Sequence, residues 1–224
     1  MIEAANIRKR YRRGREVLRD ISFYAQPGEC VGIAGENGCG KTTLLSILAG
    51  TLKADGGSLK YFGRDGLADR RAIRELVAYV PQENPLMEEL SVRDNLLLWH
   101  RGDQAGLKRD LESGSAAMLG LSGHEKETAG KLSGGMKKRL SIACALAGQG
   151  RILVMDEPGA ALDLLCKEAI RNYLEAYRRK GGIVVLTSHD LMELKMCSRI
   201  YIMKGGVLIP LEQGFPLERL SEKL

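Results

Sequence analysis

The beginning of the chain alternates short apolar runs with polar turns. Residues 17–25 alternate loosely between apolar and polar positions, and residues 30–34 form an apolar run bounded by glycines, as expected of strands. A glycine-rich segment follows, and residues 43–49 are then apolar at helical spacing, ending at Gly50. The pattern predicts a strand, a glycine-rich loop and a helix in that order.

The remaining pattern predicts an α/β domain with helices in its middle. We expect a strand pair within 51–66, a helix over 67–76, a strand over 76–80, and helices over 91–99, 107–121 and 133–147. Residues 152–155 and 183–186 are apolar runs of the kind found in strands covered on both faces, and the helix predicted over 163–180 joins them as a parallel β-α-β unit. We therefore expect one domain, with its core in 1–84 and 146–224 and a helical insertion over about 85–145.

Composition restricts the class of protein without naming it. The 224 residues are 44% apolar and 28% charged, which excludes a disordered chain. No apolar run approaches the roughly 18 residues of a membrane helix, and the first six residues show no basic-then-apolar signal. The cysteines are odd in number and never spaced as Cys-x-x-Cys, so we expect reduced thiols rather than disulfides or a zinc site.

The net charge of +6 includes a local basic cluster: residues 8–15 hold six basic side chains and Tyr11. A solvated turn between strands explains this segment, and so does a patch for anionic nucleic acid or membrane. Composition does not decide between these two interpretations.

The segment Gly35-Glu36-Asn37-Gly38-Cys39-Gly40-Lys41-Thr42 fits the phosphate-binding pattern G-x-x-x-x-G-K-[ST]. Glycines allow backbone N–H groups to converge on phosphate oxygens at the start of the following helix. Lys41 would reach the β- and γ-phosphates, and the Thr42 hydroxyl would be a ligand for Mg²⁺. The preceding strand and following helix are the context that this motif requires.

Two further segments carry candidate chemistry. The apolar strand that ends in Asp156-Glu157 is typical of P-loop proteins, where Asp156 would join the metal shell and Glu157 would polarise a water as general base. Ser133 and the glycines Gly134-Gly135 precede a helix, where they would cap it or bind an anion. Physical reasoning alone leaves both roles of this second segment open.

Together these motifs resemble the nucleotide-binding subunit of ATP-binding cassette (ABC) transporters over about residues 3–209. The family's elements occur in its order: the P-loop (35–42), a Q-loop-like Tyr79-Val80-Pro81-Gln82, a signature-like Leu132-Ser133-Gly134-Gly135-Met136, Asp156-Glu157-Pro158, a D-loop-like Ala161-Leu162-Asp163 and a switch-like Ser188-His189-Asp190. The signature discriminates this family from other P-loop proteins. The resemblance implies a P-loop NTPase core with a mainly parallel sheet, an N-terminal antiparallel β region and an inserted helical subdomain.

The resemblance also implies the roles of site residues, with ATP and Mg²⁺ as the bound species. The catalytic set would be Glu157, His189 and Gln82, and the metal ligands Thr42, Gln82 and Asp156. The nucleotide would be bound by Tyr11, Gly35, Asn37, Gly38, Cys39, Gly40, Lys41, Thr42, Thr43, Ser133, Gly134, Gly135 and Asp163. In this scheme Tyr11 stacks on adenine, whereas Ser133 and Gly135 contact ATP on the other subunit of a head-to-tail dimer and Asp163 lies across the dimer seam.

We expect an ATPase on the cytoplasmic face of a membrane, bound to transmembrane permease subunits and paired as a homodimer or heterodimer. A soluble ABC-type ATPase acting on DNA or ribosomes is the second interpretation, but only 51 positions separate Gln82 from Ser133, too few for long coiled coils. A P-loop kinase or GTPase leaves the signature unexplained, and nucleic acid is not an expected partner. The short chain resembles ABC-2-type exporters, which weakly favours export.

Two departures from the family pattern affect the expected chemistry. Met136 replaces the usual glutamine of the signature, for which we expect a small effect. Gly159 stands where threonine or serine is common, so a hydroxyl near the D-loop is missing and the hydrolysis rate is open. Glu157 is intact, so the sequence predicts an active ATPase.

Overall fold

Two sheets and a group of helices make up the computed structural model, which describes residues 1–11, 14, 16–83, 85–148, 150–160, 162–212 and 214–224. The strands of the first sheet are β1 (Ile2–Arg10), β2 (Glu16–Ala25), β4 (Gly56–Tyr61) and β5 (Arg64–Asp65). They are antiparallel and lie in the order β2-β1-β4-β5. The predicted antiparallel region at the amino terminus is confirmed.

The second sheet contains β3 (Cys30–Ala34), β6 (Val77–Val80), β7 (Ile152–Asp156), β8 (Ile183–Thr187), β9 (Arg199–Lys204) and β10 (Val207–Pro210). Its order is β10-β9-β3-β8-β7-β6, and it is parallel except at β10. The mainly parallel sheet is confirmed, including the β-α-β unit from β7 to β8. The hairpin of β9 and β10 was not predicted.

Most of the helices cover one face of this parallel sheet. The antiparallel sheet, together with the first helix, packs against the other face. The helices are α1 (Lys41–Leu48), α2 (Arg70–Leu76), α3 (Val92–Trp99), α4 (Gln104–Ser113), α5 (Ser115–Met118), α6 (Gly134–Leu146), α7 (Leu164–Arg179) and α8 (Leu191–Leu194). Short 3₁₀ turns occur at Ala129–Lys131 and Leu217–Glu222. The helix expected over 107–121 is two helices, because the chain turns at Gly114 into an extended conformation.

The parallel sheet has a hydrophobic core on each face, because successive side chains of a strand point to opposite sides. Ile152 and Val154 of β7 pack with α1 and the antiparallel sheet. Leu153 and Met155 of the same strand pack with helices α3 to α7. This arrangement explains why β7 is apolar at every position before its final carboxylate, and it fixes Asp156 at the carboxyl edge of the sheet.

Polar side chains cap the starts of several helices. Ser91 caps α3, with its hydroxyl accepting from the Asp94 amide at 3.1 Å and donating to the Asp94 carboxylate at 2.6 Å. Such caps satisfy backbone donors that the helix leaves free. Among the described residues no helix is both long and apolar enough to cross a bilayer.

Candidate nucleotide site

The P-loop leads from β3 into α1 and takes its shape from its glycines. Gly38 and Gly40 have φ angles of +77° and +116°, the left-handed region that favours glycine. A side chain on Gly35 would overlap the Met203 carbonyl and the Cys39 thiol. The loop therefore requires glycine at these positions, and it leaves its backbone facing a cavity at the start of α1.

Lys41 is 6% exposed and lies folded back over the loop. Its Nζ donates to the carbonyl oxygens of Gly35 (2.6 Å) and Glu36 (3.0 Å) and lies 3.3 Å from His189 Nε2. Lys41 forms no ion pair with a carboxylate of the described residues. The ammonium charge is therefore not neutralised locally and is available to an anionic ligand.

A cavity of about 630 Å³ opens over the P-loop. It is lined by the predicted site residues Tyr11, Asn37, Gly38, Gly40, Lys41, Thr42, Thr43, Gln82 and Glu157, together with Val17. Tyr11 is 45% exposed, and its hydroxyl lies 3.4 Å from the Thr43 hydroxyl. The chain thus brings together, around one cavity, residues that are separated by up to 146 positions in the sequence.

The described part of the basic segment beside Tyr11 includes the end of β1, where the three basic side chains form ion pairs. Arg8 pairs with Asp20 at 2.6 Å, Lys9 with Asp55 at 3.0 Å and Arg10 with Glu16 at 3.8 Å. Arg12, Arg13 and Arg15 lie outside the described residues. The described contacts favour the solvated-turn interpretation, because these three basic side chains already have carboxylate partners.

Asp156 lies at the end of β7 and is 1% exposed. Its Oδ1 accepts a hydrogen bond from the Thr187 hydroxyl at 2.6 Å, whereas its buried Oδ2 has no hydrogen-bond partner in the described chain. A buried carboxylate oxygen without a partner is costly unless a cation or donor meets it. A carboxylate such as that of Asp156 and a hydroxyl such as that of Thr42, which lines the cavity, are the hard oxygen ligands that Mg²⁺ prefers.

Glu157 follows with φ +48°, a strained backbone conformation for a residue with a side chain. Its amide donates to the Thr187 hydroxyl at 3.0 Å and to the Thr187 carbonyl at 3.2 Å. Its Oε1 lies 3.4 Å from Nε2 of His189, which stands in the loop after β8. The Glu157 carboxylate therefore lies beside His189, and Glu157 also lines the P-loop cavity.

The signature-like residues lie apart from this cavity. Ser133 caps α6, accepting from the Met136 amide at 3.2 Å, and the buried Gly135 packs against the Cys166 thiol with no room for a side chain. Asp163 caps α7 and accepts from the Cys166 amide at 2.7 Å, and this bond holds the pKa of the Asp163 carboxyl below its usual value. None of Ser133, Gly134, Gly135 and Asp163 lines the described P-loop cavity.

For three buried residues near the site, the sequence predicted no role. Thr187 connects Asp156 to the Glu157 amide, Glu193 accepts from the Ser188 hydroxyl, and Lys138 reaches the backbone at Gln82. Thr187 could have been found, because it ends a buried strand one residue before the Ser188-His189 pair. Lys138 and Glu193 carry no such signal, since lysine and glutamate are ordinary residues of helix surfaces.

Comparison with known proteins identifies the class and the family. A family model described as ABC transporter matches residues 18–160. The Nod factor export ATP-binding protein I of Burkholderia pseudomallei is 35% identical over 208 residues, covering 92% of this chain and 68% of that protein. The Rhizobium etli protein of the same name is 33% identical over 226 residues, covering 99% and 70%.

Solved structures agree with this result. A dimeric bacterial ABC transporter cassette superposes with TM-score 0.83 at 28% identity, over 93% of this chain and 96% of that one. An ATP-binding subunit of an ABC transporter gives 0.87 at 25% identity, over 100% and 98%. A dimeric cassette in a post-hydrolysis state with ADP and Pi gives 0.83 at 26% identity, over 96% and 100%.

The fold and the site thus define a P-loop ATPase of the cassette type. The chain belongs to the ABC transporter family. It is an ATP-binding and ATP-hydrolysing subunit of such a transporter, as its sequence predicted.

Proposed function

We propose that this chain binds Mg-ATP in the P-loop cavity and that two chains close head to tail around two nucleotides. The observation that carries the proposal is that Lys41 and Glu157 line one cavity over the P-loop, while Nε2 of His189 lies within 3.3 Å of Lys41 Nζ and 3.4 Å of Glu157 Oε1. The P-loop amides and Lys41 would bind the phosphates, and Tyr11 would stack on the adenine. Gly35, Asn37, Gly38, Cys39, Gly40 and Thr43 complete the nucleotide-binding set.

The residues at and near the cavity would each have a separate role in ATP hydrolysis. Thr42 and Asp156 would hold Mg²⁺, with Gln82 as a further ligand or a contact to the attacking water, and the ion would neutralise charge on the phosphate oxygens. Glu157 would accept a proton from the water that attacks the γ-phosphorus, while His189 orients Glu157 and contacts the γ-phosphate. ATP and water become ADP and phosphate, and Lys41 balances charge on the transferred group.

The signature-like residues would serve the second nucleotide of a dimer. Ser133, Gly134 and Gly135 lie outside the cavity of their own chain, which supports a role toward ATP on a partner, with Asp163 at the seam. Two of the solved structures, both of the same cassette protein, are dimeric. Around this dimer we propose the division predicted from the sequence, with core residues 1–84 and 146–224 and a helical subdomain over about 85–145.

The transporter would be completed by permease subunits on other chains. The similar proteins of Burkholderia pseudomallei and Rhizobium etli are named as export ATP-binding proteins, which favours export here. We therefore place the chain on the cytoplasmic face of the cell membrane, peripheral to its permease.

Substitution of Lys41 by alanine tests the nucleotide site. Each charge-assisted contact to a phosphate contributes about 1.5–3 kcal/mol, so Lys41→Ala should weaken ATP binding at least about tenfold in a calorimetric titration. Lys60→Ala, an exposed lysine of β4, is the matched control and should bind ATP as wild type does. Equal affinity of Lys41→Ala and wild type would overturn the assignment of the P-loop.

Reconstitution tests the permease partner. The tagged chain should co-elute from solubilised membranes with a polytopic membrane protein, and that protein in vesicles should raise the ATPase rate. Lys41→Ala should co-elute equally and show no stimulated hydrolysis. Co-purification with ribosomes or DNA, together with stimulation by either and by no membrane protein, would support the soluble ABC-type ATPase instead.

A further inference from the structure

A buried lysine of the signature helix is bonded to the Q-loop backbone. Lys138 lies five residues after Ser133 on α6 and is 4% exposed. Its Nζ donates to the carbonyl oxygens of Pro81 at 2.9 Å and Gln82 at 3.1 Å. These bonds join α6 to the segment that presents the Gln82 side chain to the P-loop cavity.

The surroundings of Lys138 act on its charge in two opposite ways. Burial lowers the pKa of Lys138, while the carboxylates of Asp156, Glu193 and Glu157 act in the opposite direction. A buried ammonium is costly unless its donors are satisfied, and here two carbonyl oxygens satisfy two of them. The Lys138 charge is therefore held between the Q-loop carbonyls and the acidic end of β7.

The neighbouring residue makes a parallel link further along the same segment. Lys137 pairs with Glu88 at 2.7 Å, and the Glu88 carbonyl accepts from the Gly130 amide at 2.9 Å. Consecutive residues of α6 thus hold the chain at Gln82 and again at Glu88, on the described residues to either side of Asn84. The ion pair is more exposed and so weaker, which makes Lys138 the principal contact.

We infer that Lys138 is a positioning residue for ATP hydrolysis, which sets the place of Gln82 by bonding the Pro81–Gln82 backbone to the signature helix. The inference rests on the proposed function, in which Gln82 contacts the metal or the attacking water. One helix then carries Ser133 and Gly135, directed to the partner's nucleotide, and Lys138, directed to the chain's own Q-loop. Closure at one nucleotide would thereby adjust Gln82 at the other.

A double-mutant cycle on the full chain tests the inference through kcat and KM. Lys138→Met removes the charge and both bonds, and should lower kcat about tenfold with little change in KM for ATP, because binding groups are untouched. Lys138→Arg keeps a donor and a charge and should retain most of kcat. In a Gln82→Ala background Lys138→Met should cause no further loss, because Lys138 acts through Gln82. Lys108→Met, an exposed lysine of α4, is the charge-matched control.

Hydrogen–deuterium exchange of the nucleotide-free chain supplies a readout independent of turnover. Peptides covering 77–83 should exchange faster in Lys138→Met than in wild type or Lys138→Arg, while peptides of α7 should be unchanged. If Lys138→Met does not fold, Lys138→Gln, which keeps a neutral donor, takes its place and should show a smaller change in the same direction.

Several outcomes would overturn the inference while leaving the proposed function standing. The first is that Lys138→Met lowers kcat equally in the wild-type and the Gln82→Ala backgrounds. The second is that Lys138→Arg lowers kcat as much as Lys138→Met does. The third is that Lys138→Met leaves hydrogen–deuterium exchange over 77–83 unchanged. Failure of wild type itself to bind and hydrolyse Mg-ATP would instead count against the proposed function.

Discussion

The carboxylate of Glu193 occupies the space that a side chain on Gly159 would need. A Cβ built on Gly159 would overlap Glu193 Oε1, while Glu193 Oε2 accepts from the Ser188 hydroxyl. That hydroxyl in turn accepts from the Asp190 amide at 2.9 Å, so Glu193 supports the turn that carries His189. Position 159 therefore lacks a hydroxyl, and the buried carboxylate of Glu193 packs where a side chain at this position would lie.

Substitution Glu193→Gln should change the pH dependence of stability. Burial raises the pKa of Glu193 above its ordinary value of 4.5, so the folded chain binds this proton more tightly than the unfolded chain. The stability contributed by this group is complete below about pH 4.5 and is lost as pH rises through the folded-state pKa. Glutamine keeps an acceptor for Ser188 and does not titrate. The free energy of unfolding of the variant, relative to wild type, should therefore increase with pH above 4.5.

Urea denaturation at a series of pH values from 4.5 to 8 measures this difference. Glu168→Gln, on the exposed side of α7, controls for the change in net charge. A difference between Glu193→Gln and wild type that stays constant or shrinks as pH rises would contradict the prediction.

Substitution Glu157→Gln should separate ATP binding from hydrolysis. The amide keeps the shape of the side chain that faces His189 at 3.4 Å but loses its capacity to accept a proton. We expect ATP affinity within about threefold of wild type and a rate lower by a hundredfold or more, in keeping with the usual contribution of a general base. Because the ATP in the closed sites is then hydrolysed very slowly, the closed dimer should persist. Light scattering should therefore show a dimer that depends on ATP.

The same measurements on Glu175→Gln, a carboxylate on α7 that is paired with Arg179 at the surface, should match wild type. If Glu157→Gln stays monomeric with ATP while wild type turns over normally, the composite-site model is wrong.

The sequence predicted the strand, loop and helix that contain Lys41 because the pattern there is local. Positions 35–42 turn tightly and then begin a helix, so the glycines, Lys41 and Thr42 are spaced by backbone geometry alone. The positions of Asp156 and Glu157 followed from the end of an apolar strand. The hairpin of β9 and β10 was missed although Gly205-Gly206, both with positive φ, separates its strands and is a local hairpin signal.

Residues that act across elements could not be found in this way. Lys138 is the second of three consecutive basic residues in α6, and only the packing of α6 against β6 places its Nζ at the Gln82 carbonyl. Glu193 lies in a helix of four residues, and its burial depends on the absence of a side chain at Gly159. Such pairs are set by tertiary contacts between segments that are far apart in sequence, where neither residue type carries a pattern of its own.

Substitution Tyr11→Ala should weaken ATP binding without destabilising the nucleotide-free chain. The ring is 45% exposed beside the P-loop cavity, so its loss uncovers little core. Base–aromatic stacking contributes about 1–3 kcal/mol in nucleic-acid complexes, which corresponds to about 5- to 150-fold in affinity. Calorimetry with ATP and thermal melting of the apo form measure the two quantities. Tyr11→Phe keeps the ring and should bind nearly as wild type does, whereas a lower apo melting temperature for Tyr11→Ala would indicate core packing.

The thiol of Cys39 should be the first of three cysteines to react with an alkylating reagent. Cys39 is half-buried in the P-loop, between Gly38 and Gly40, whereas Cys144 is 2% exposed and burial raises its pKa to about 12. A hydrogen bond with Cys30, together with burial, also raises the pKa of Cys197. Because the thiolate is the nucleophile, Cys144 and Cys197 should react slowly.

Mass spectrometry of alkylated peptides, with and without Mg-ATP, tests the order of labelling and its protection. Bound ATP should cover the loop and slow the labelling of Cys39, and an alkyl group there should stop hydrolysis because its bulk beside Gly35 would displace the loop backbone that would contact the phosphates. In Cys39→Ser the reagent should have no effect on the remaining ATPase activity. Labelling of Cys39 no faster than that of Cys144 or Cys197, or labelling unaffected by ATP, would show the prediction to be wrong. The assignment of the P-loop would stand in that case, because it depends on the backbone of 35–40 and on Lys41 rather than on the thiol.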